Sequence, residues 1–159
     1  MSATMNVTAA ASTRAHPFLL VRVGGESFAL PIAEVLEVVD APDVAPLPLT
    51  PEGVAGQCVH RGRLLPVLDA GAVLGVAREG GAGALLVVAD GDARFGLLVD
   101  DALDMVAVDA AAMRPMPVGA GQSAGVLQAV LSLDRGLAAL VDMDVVRANA
   151  RARLTTEAG

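Results

Sequence analysis

The stretch Phe28-Ala-Leu-Pro-Ile-Ala-Glu-Val-Leu-Glu-Val-Val-Asp40 returns later in the chain as Phe95-Gly-Leu-Leu-Val-Asp-Asp-Ala-Leu-Asp-Met-Val-Ala-Val-Asp109. Each copy is followed by a Pro-x-Pro (Pro46 to Pro48, Pro115 to Pro117) and then a glycine (Gly56, Gly125). An Arg-Gly turn and an apolar run ending in Asp come next: Arg61-Gly62 to Asp69, and Arg135-Gly136 to Asp142. One order of elements used twice predicts two similar halves. Differences between the copies concentrate at residues 57–66, so function is expected there.

Working outward, each copy opens on a hairpin. Phe18–Val23 and Glu26–Leu30 flank Gly24-Gly25, and Ala84–Ala89 and Asp92–Val99 flank Asp90-Gly91, both two-residue turn signals. The β-branched segments Val35–Val39 and Leu103–Val108 read as strands, although Ala33–Leu36 alone also fits a helical turn. Pro42, Pro46, Pro48 and Pro51 interrupt any ladder and predict an irregular connection or a one-turn helix. Further strands are expected at Val54–His60, Arg63–Leu68, Gly125–Leu133 and Leu137–Val141. Asp69 suits the cap of a short helix, Ala70–Leu74, that stops at Gly75; Asp142 suits the cap of a closing helix to about Arg151. Arg147, Arg151 and Arg153 fall near the expected helix end, where positive charge complements the dipole.

Many short strands with regular turn signals point to small barrels, not a parallel sheet. The organisation is a flexible arm over residues 1–15, a folded domain over 16–150 and a flexible tail over 151–159. Within the domain, lobes at about 16–75 and 84–150 are joined by a glycine-rich, mobile linker.

The 159 residues suffice for one compact domain or two closely associated lobes, and 54% of them are hydrophobic. With no Trp or Tyr and three Phe, the core must be Val, Leu and Ala. A net charge of −7 disfavours nucleic acid and anionic membrane surfaces. Cys58 is the single cysteine, which excludes an internal disulfide and fits a reducing compartment. Neither a signal peptide pattern nor an apolar run of about 18 residues occurs.

Catalytic chemistry is hard to assemble. Cys58 and His60 share a strand face and could form an activated thiolate or two metal ligands, but no third residue orients or completes them. A buried thiol beside a partly exposed imidazole is the preferred reading. Asp100, Asp101 and Asp104 read as solvated strand-end acids, and Gly80, Gly81 and Gly83 lack the context of a phosphate loop. What remains is Arg61-Gly62, either a solvated turn or a lobe-junction fixture in which Arg61 pairs with Glu37.

The segment Gly56-Gln-Cys-Val-His-Arg-Gly-Arg-Leu-Leu-Pro-Val-Leu-Asp69 resembles the central signature of the CheW family of chemotaxis coupling proteins: Gly, Arg-Gly, Pro-Val and an apolar-Asp. Phe28–Ile32 with Val35–Val38, Phe95–Asp100 and Gly125–Val146 are similar to its flanking stretches, in order, over about residues 17–148. The resemblance implies an all-β fold of two intertwined five-stranded SH3-like barrels that exchange strands, with a short C-terminal helix. It implies a non-catalytic adaptor, without cofactor or metal, that couples the cytoplasmic tip of chemoreceptors to the regulatory domain of a CheA-like histidine kinase. The expected location is cytoplasmic, at receptor arrays on the inner face of the membrane, without membrane insertion and with room for weak self-association.

By position, Arg61 resembles the family's Arg and Glu37 its partner. Val35 and Val87 fall on strands associated with the receptor groove, and Gly56 on the adjoining turn. The partner-binding set implied is Val35, Glu37, Gly56, Val59, Arg61, Gly62 and Val87. Val59 stands where an Asn is usual, and His60 where an apolar residue is usual. An alternative is therefore a divergent accessory member that binds one partner only. A small enzyme or metal protein using Cys58 and His60 is the reading from another class.

Overall fold

In a computed structural model, residues 15–81, 83–116 and 125–158 are described. The expected arm, except Ala15, lies outside them, as do Ala82 in the linker and Pro117 of the second Pro-x-Pro. The first half contributes β1 (Ala15–Val23), β2 (Glu26–Pro31), β3 (Val35–Asp40), β4 (Val54–His60), β5 (Arg63–Asp69) and α1 (Ala70–Leu74). The second contributes β6 (Ala84–Asp90), β7 (Ala93–Val99), β8 (Asp101–Asp109), β9 (Met113–Pro115), β10 (Leu127–Leu133), β11 (Gly136–Val141) and α2 (Met143–Ala158).

The two sheets follow one plan. One runs β3-β6-β7-β5-β4 and the other β8-β1-β2-β11-β10-β9. Each is built around the hairpin of the opposite half, so the lobes are intertwined. The parallel pairings Val67↔Gly96 (β5 with β7) and Ala139↔Phe28 (β11 with β2) are where the halves interlock. The sixth strand, β9, is short, and its counterpart in the other lobe is the isolated bridge Ala45↔Gln57.

This exchange explains the hydrophobic runs in the hairpins. Leu19, Val21 and Val23 of β1 enter a core shared by both lobes, while Phe18 and Leu20 enter the second lobe's interior. In β6, Leu86 and Val88 face the shared core, and Leu85 and Val87 the first lobe's interior. A strand buried on both faces has no polar alternation. By contrast, β3 is covered on one face, and its burial alternates residue by residue.

Turns and caps follow local chemistry. Gly24 and Gly25 have φ of 61° and 82°, as a tight two-residue hairpin turn requires. Asp69 accepts from the Gly71 N–H at 2.8 Å, and Gly75 ends α1 in the left-handed region. Asp142 accepts from the Asp144 N–H at 3.0 Å at the start of α2.

Four expectations change. β1 begins at Ala15, ahead of the expected start at Phe18, with His16 paired with Val108. The closing helix continues to Ala158, through most of the expected tail. Its arginines serve the first lobe more than the dipole. Arg147 pairs with Glu34 and donates to the Ala89 carbonyl, Arg151 grips Asp90 through two bonds of 2.9 and 3.0 Å, and Arg153 donates to the Glu52 carbonyl.

The fourth concerns Asp100, which is not a solvated acid. Its side chain is 4% exposed, accepts from the Gly24 and Glu79 N–H groups and pairs with Arg78 at 3.2 Å. Burial raises its pKa, but the Glu79 and Gly24 N–H groups and the Arg78 charge outweigh that, and the net shift is downward. The start of the expected mobile linker is thereby pinned to the β1–β2 turn.

Candidate partner-binding surface

The β4–β5 hairpin pairs His60 with Arg63 across Arg61-Gly62. Both turn residues have positive φ, 52° and 78°, the geometry that matches strand twist in a two-residue turn. Glycine adopts this freely; Arg61 does not, and its side chain is held from β3. Glu37 Oε1 accepts from Arg61 Nε at 3.1 Å and lies 2.9 Å from Arg61 Nη2. The pair expected from sequence is therefore formed.

A third group joins it. His60 Nε2 is 2.9 Å from the same Glu37 oxygen, with the imidazole 11% exposed. Hydrogen bonding from His60, and next from Arg61, holds the Glu37 carboxyl below the usual carboxylate range. The sequence reading set His60 beside Cys58 and missed its partner on β3. No local pattern in the sequence signals that contact, because β3 and β4 stand at opposite ends of the strand order of their sheet.

Cys58 is buried with Leu65 and Val67 inside the first lobe. Burial, and then the Asp43 charge, push its thiol upward in pKa, opposite to an activated nucleophile. Among the described residues no cluster of His, Cys, Asp or Glu is arranged to hold a metal ion.

On the outer face Val59 lies opposite Leu64, and the two are 71% and 65% exposed. Leu64 was not anticipated. Leu36 and Val38, on the outward side of β3, are also exposed. A groove of about 320 Å³ beside the turn is lined by Val39, Pro42, Gln57, Val59, His60 and Leu64. The corner thus joins apolar surface to a guanidinium held by Glu37, whose carboxylate His60 also engages.

The other expected residues separate from it. Gly62 is in the turn. Gly56 is interior: a Cβ there would stand 2.1 Å from the Ala45 carbonyl oxygen, where the proline-rich connection crosses β4. Val87, expected on a strand associated with the receptor groove, has no exposed surface and faces the first lobe's interior. Val35 is half-buried and packs on the shared core just after the crossover from β2 to β3. At that crossover is a second groove, of about 410 Å³ and predominantly apolar, lined by Pro17, Phe18, Pro31, Ile32, Met113 and Leu140.

A family model for the CheW-like domain matches residues 17–150. The chain belongs to the CheW-like domain family. It is 37% identical over 118 residues to protein FrzA of Myxococcus xanthus, covering 70% of this chain and 74% of that protein. It is 31% identical over 128 residues to the chemotaxis protein CheW of Rhizobium meliloti (strain 1021), covering 79% and 83% respectively. The crystal structure of the scaffolding protein TtCheW from Thermoanaerobacter tengcongensis superposes with a TM-score of 0.72 at 22% identity, covering 80% of this chain and 89% of that one. The fold is accordingly the paired SH3-like barrel of that scaffold. The chain is a CheW-like scaffold or coupling protein of chemotaxis, a family of non-catalytic adaptors. No helix among the described residues is long and apolar enough to cross a membrane.

Proposed function

We propose that this chain couples the cytoplasmic tip of a chemoreceptor to the regulatory domain of a CheA-like histidine kinase, in chemotaxis or a related motility pathway. It would act in the cytoplasm, at receptor arrays on the inner face of the membrane. The apolar groove at the β2–β3 crossover receives the receptor helix, since helix-in-groove binding needs an apolar lining without acid–base machinery. The Arg61 corner docks the kinase domain. The observation that carries this reading is the clasp of Arg61 on Glu37 beside exposed Val59 and Leu64: an oriented guanidinium next to an apolar anchor.

A second reading has one observation in its favour. His60 shares the Glu37 oxygen with Arg61, so the corner differs from one in which Arg61 alone engages the carboxylate. An accessory member that binds only one partner and modulates array assembly would fit such a change. Calorimetry of the purified chain with a kinase regulatory domain and with a receptor tip separates the two. Under the coupling reading both bind, Arg61→Ala weakens the kinase domain and Ile32→Asp weakens the receptor tip. Binding of one partner alone supports the accessory reading, with Val59→Asn as the variant to test for recovery of the other. Binding of neither overturns both.

A further inference from the structure

β5 and β7 run side by side only from Val67↔Gly96 onward. Before that point Arg63–Pro66 diverge from the β6–β7 turn, and a cleft of about 550 Å³ opens between them. Its lining includes Arg61, Arg63, Leu64, Pro66, Asp92 and Arg94. Three arginines and one aspartate therefore line this cleft, on a chain whose net charge is −7. Arg61 is engaged by Glu37, whereas Arg63 and Arg94 are exposed and form no ion pair among the described residues. Elsewhere on the surface Arg22, Arg135 and Arg151 hold carboxylates, and Arg114 donates to the Ala111 and Met113 carbonyls.

The open stretch of β5 is a poor template for strand addition, because Pro66 has no N–H to offer. Side chains must carry recognition. A planar guanidinium receives a carboxylate through two parallel bonds, and an exposed leucine beside it supplies an apolar anchor. Nucleic acid is disfavoured: the chain is acidic, has no Trp or Tyr, and presents two free cations where a phosphate backbone needs a longer row.

We propose that this cleft binds an acidic segment of a protein partner, with carboxylates on Arg63 and Arg94 and an aliphatic side chain between them on Leu64 and Pro66. The proposal rests on reading the first-lobe corner as a docking surface, and it names the chemistry of the partner at a face beside the Arg61 clasp. It assigns recognition to two arginines outside the Arg-Gly pair.

The test is an NMR titration of the isotopically labelled full chain with three probes: the peptide acetyl-Glu-Leu-Asp-Leu-Glu-amide, its Gln/Asn isostere, and a short oligothymidylate. The acidic peptide is expected to shift the amides of residues 61–65 and 92–94, with affinity falling as salt rises. Arg63→Gln and Arg94→Gln should each weaken it about tenfold while leaving the dispersed spectrum of a folded chain. No shift at those amides, or an equal shift with the isostere, overturns the proposal. A matching shift with oligothymidylate also overturns it, in favour of a nucleic acid. Kinase-domain binding, measured in parallel on Arg61→Ala, separates the two claims. If that binding depends on Arg61 but the peptide is silent, the cleft fails and the corner stands. If the peptide binds through Arg63 and Arg94 but kinase-domain affinity ignores Arg61, the corner fails and the cleft stands.

Discussion

Arg135 closes the second lobe on Asp104 as Arg61 closes the first on Glu37. The N–O separations are 3.1 and 2.9 Å, and each pair joins a hairpin turn to the outermost long strand of its sheet. The duplication thus extends to an ion-pair clasp across each barrel. In the second lobe both partners are 54% exposed, so the pair shapes the corner more than it holds the fold. Asp104→Ala should lower unfolding free energy by under about 1 kcal/mol, read from the urea midpoint at unchanged slope. A larger loss would show that the clasp holds the barrel shut.

The clasp at Glu37 has a pH signature. Its folded-state pKa is held below the ordinary 4.5 by His60 and then by Arg61. A lowered carboxylate pKa contributes stability that is fully present above the unfolded value and disappears as pH falls through the folded one. Unfolding free energy should therefore decline on the acid side of pH 4.5. Asp90 and Asp100 are shifted the same way, so the wild type is compared with Glu37→Gln. The difference between the two curves should shrink on acidification, and parallel curves would contradict the assignment.

Asp100 is the opposite case, an acid whose value is structural. Asp100→Asn removes the nearer charge partner of Arg78, itself 13% exposed, leaving Asp69 at 3.7 Å, and weakens the tie from the linker to the β1–β2 turn. Breaking such a pair costs about 3 kcal/mol. For a chain of this size the thermal midpoint should fall by roughly 6–12 °C. A fall of a degree or two would mean that the site is solvated after all.

Gly56 is required by a crossing backbone. Gly56→Ala drives a methyl group against the Ala45 carbonyl and Pro46, at a φ of 147°. The substitution should destabilise by about 2–3 kcal/mol in chemical denaturation. Gly62→Ala, with nothing within 4 Å of the added carbon, tests the turn conformation alone and should cost less. Equal costs would remove the steric account of Gly56.

Much of the candidate site was legible because its geometry is local. The two-residue turn at Arg61-Gly62 sets the register of β4 on β5, and Glu37 follows Phe28 at the same spacing as Asp104 follows Phe95 in the second repeat. Val87 was placed by family position on a strand, and position along a strand does not say which of its faces is covered. Only knowledge of what covers each face distinguishes them. His60 escaped for a related reason: its partner lies on β3, 23 residues earlier in the chain, and no local period connects them.

The sequence by itself determined the duplication, the strands and their turns, the Asp69 and Asp142 caps and the expectation of paired barrels. Each depends on side-chain alternation and backbone preferences within a few residues. Tertiary structure decided which half supplies the central hairpin of each sheet, and with it the burial of Val87 and Asp100. It also decided the grip of Arg151 on Asp90 and that Arg63 forms no ion pair among the described residues. Those outcomes depend on which surfaces meet at long range, where burial and charge pairing are properties of the assembled lobes and of no single segment.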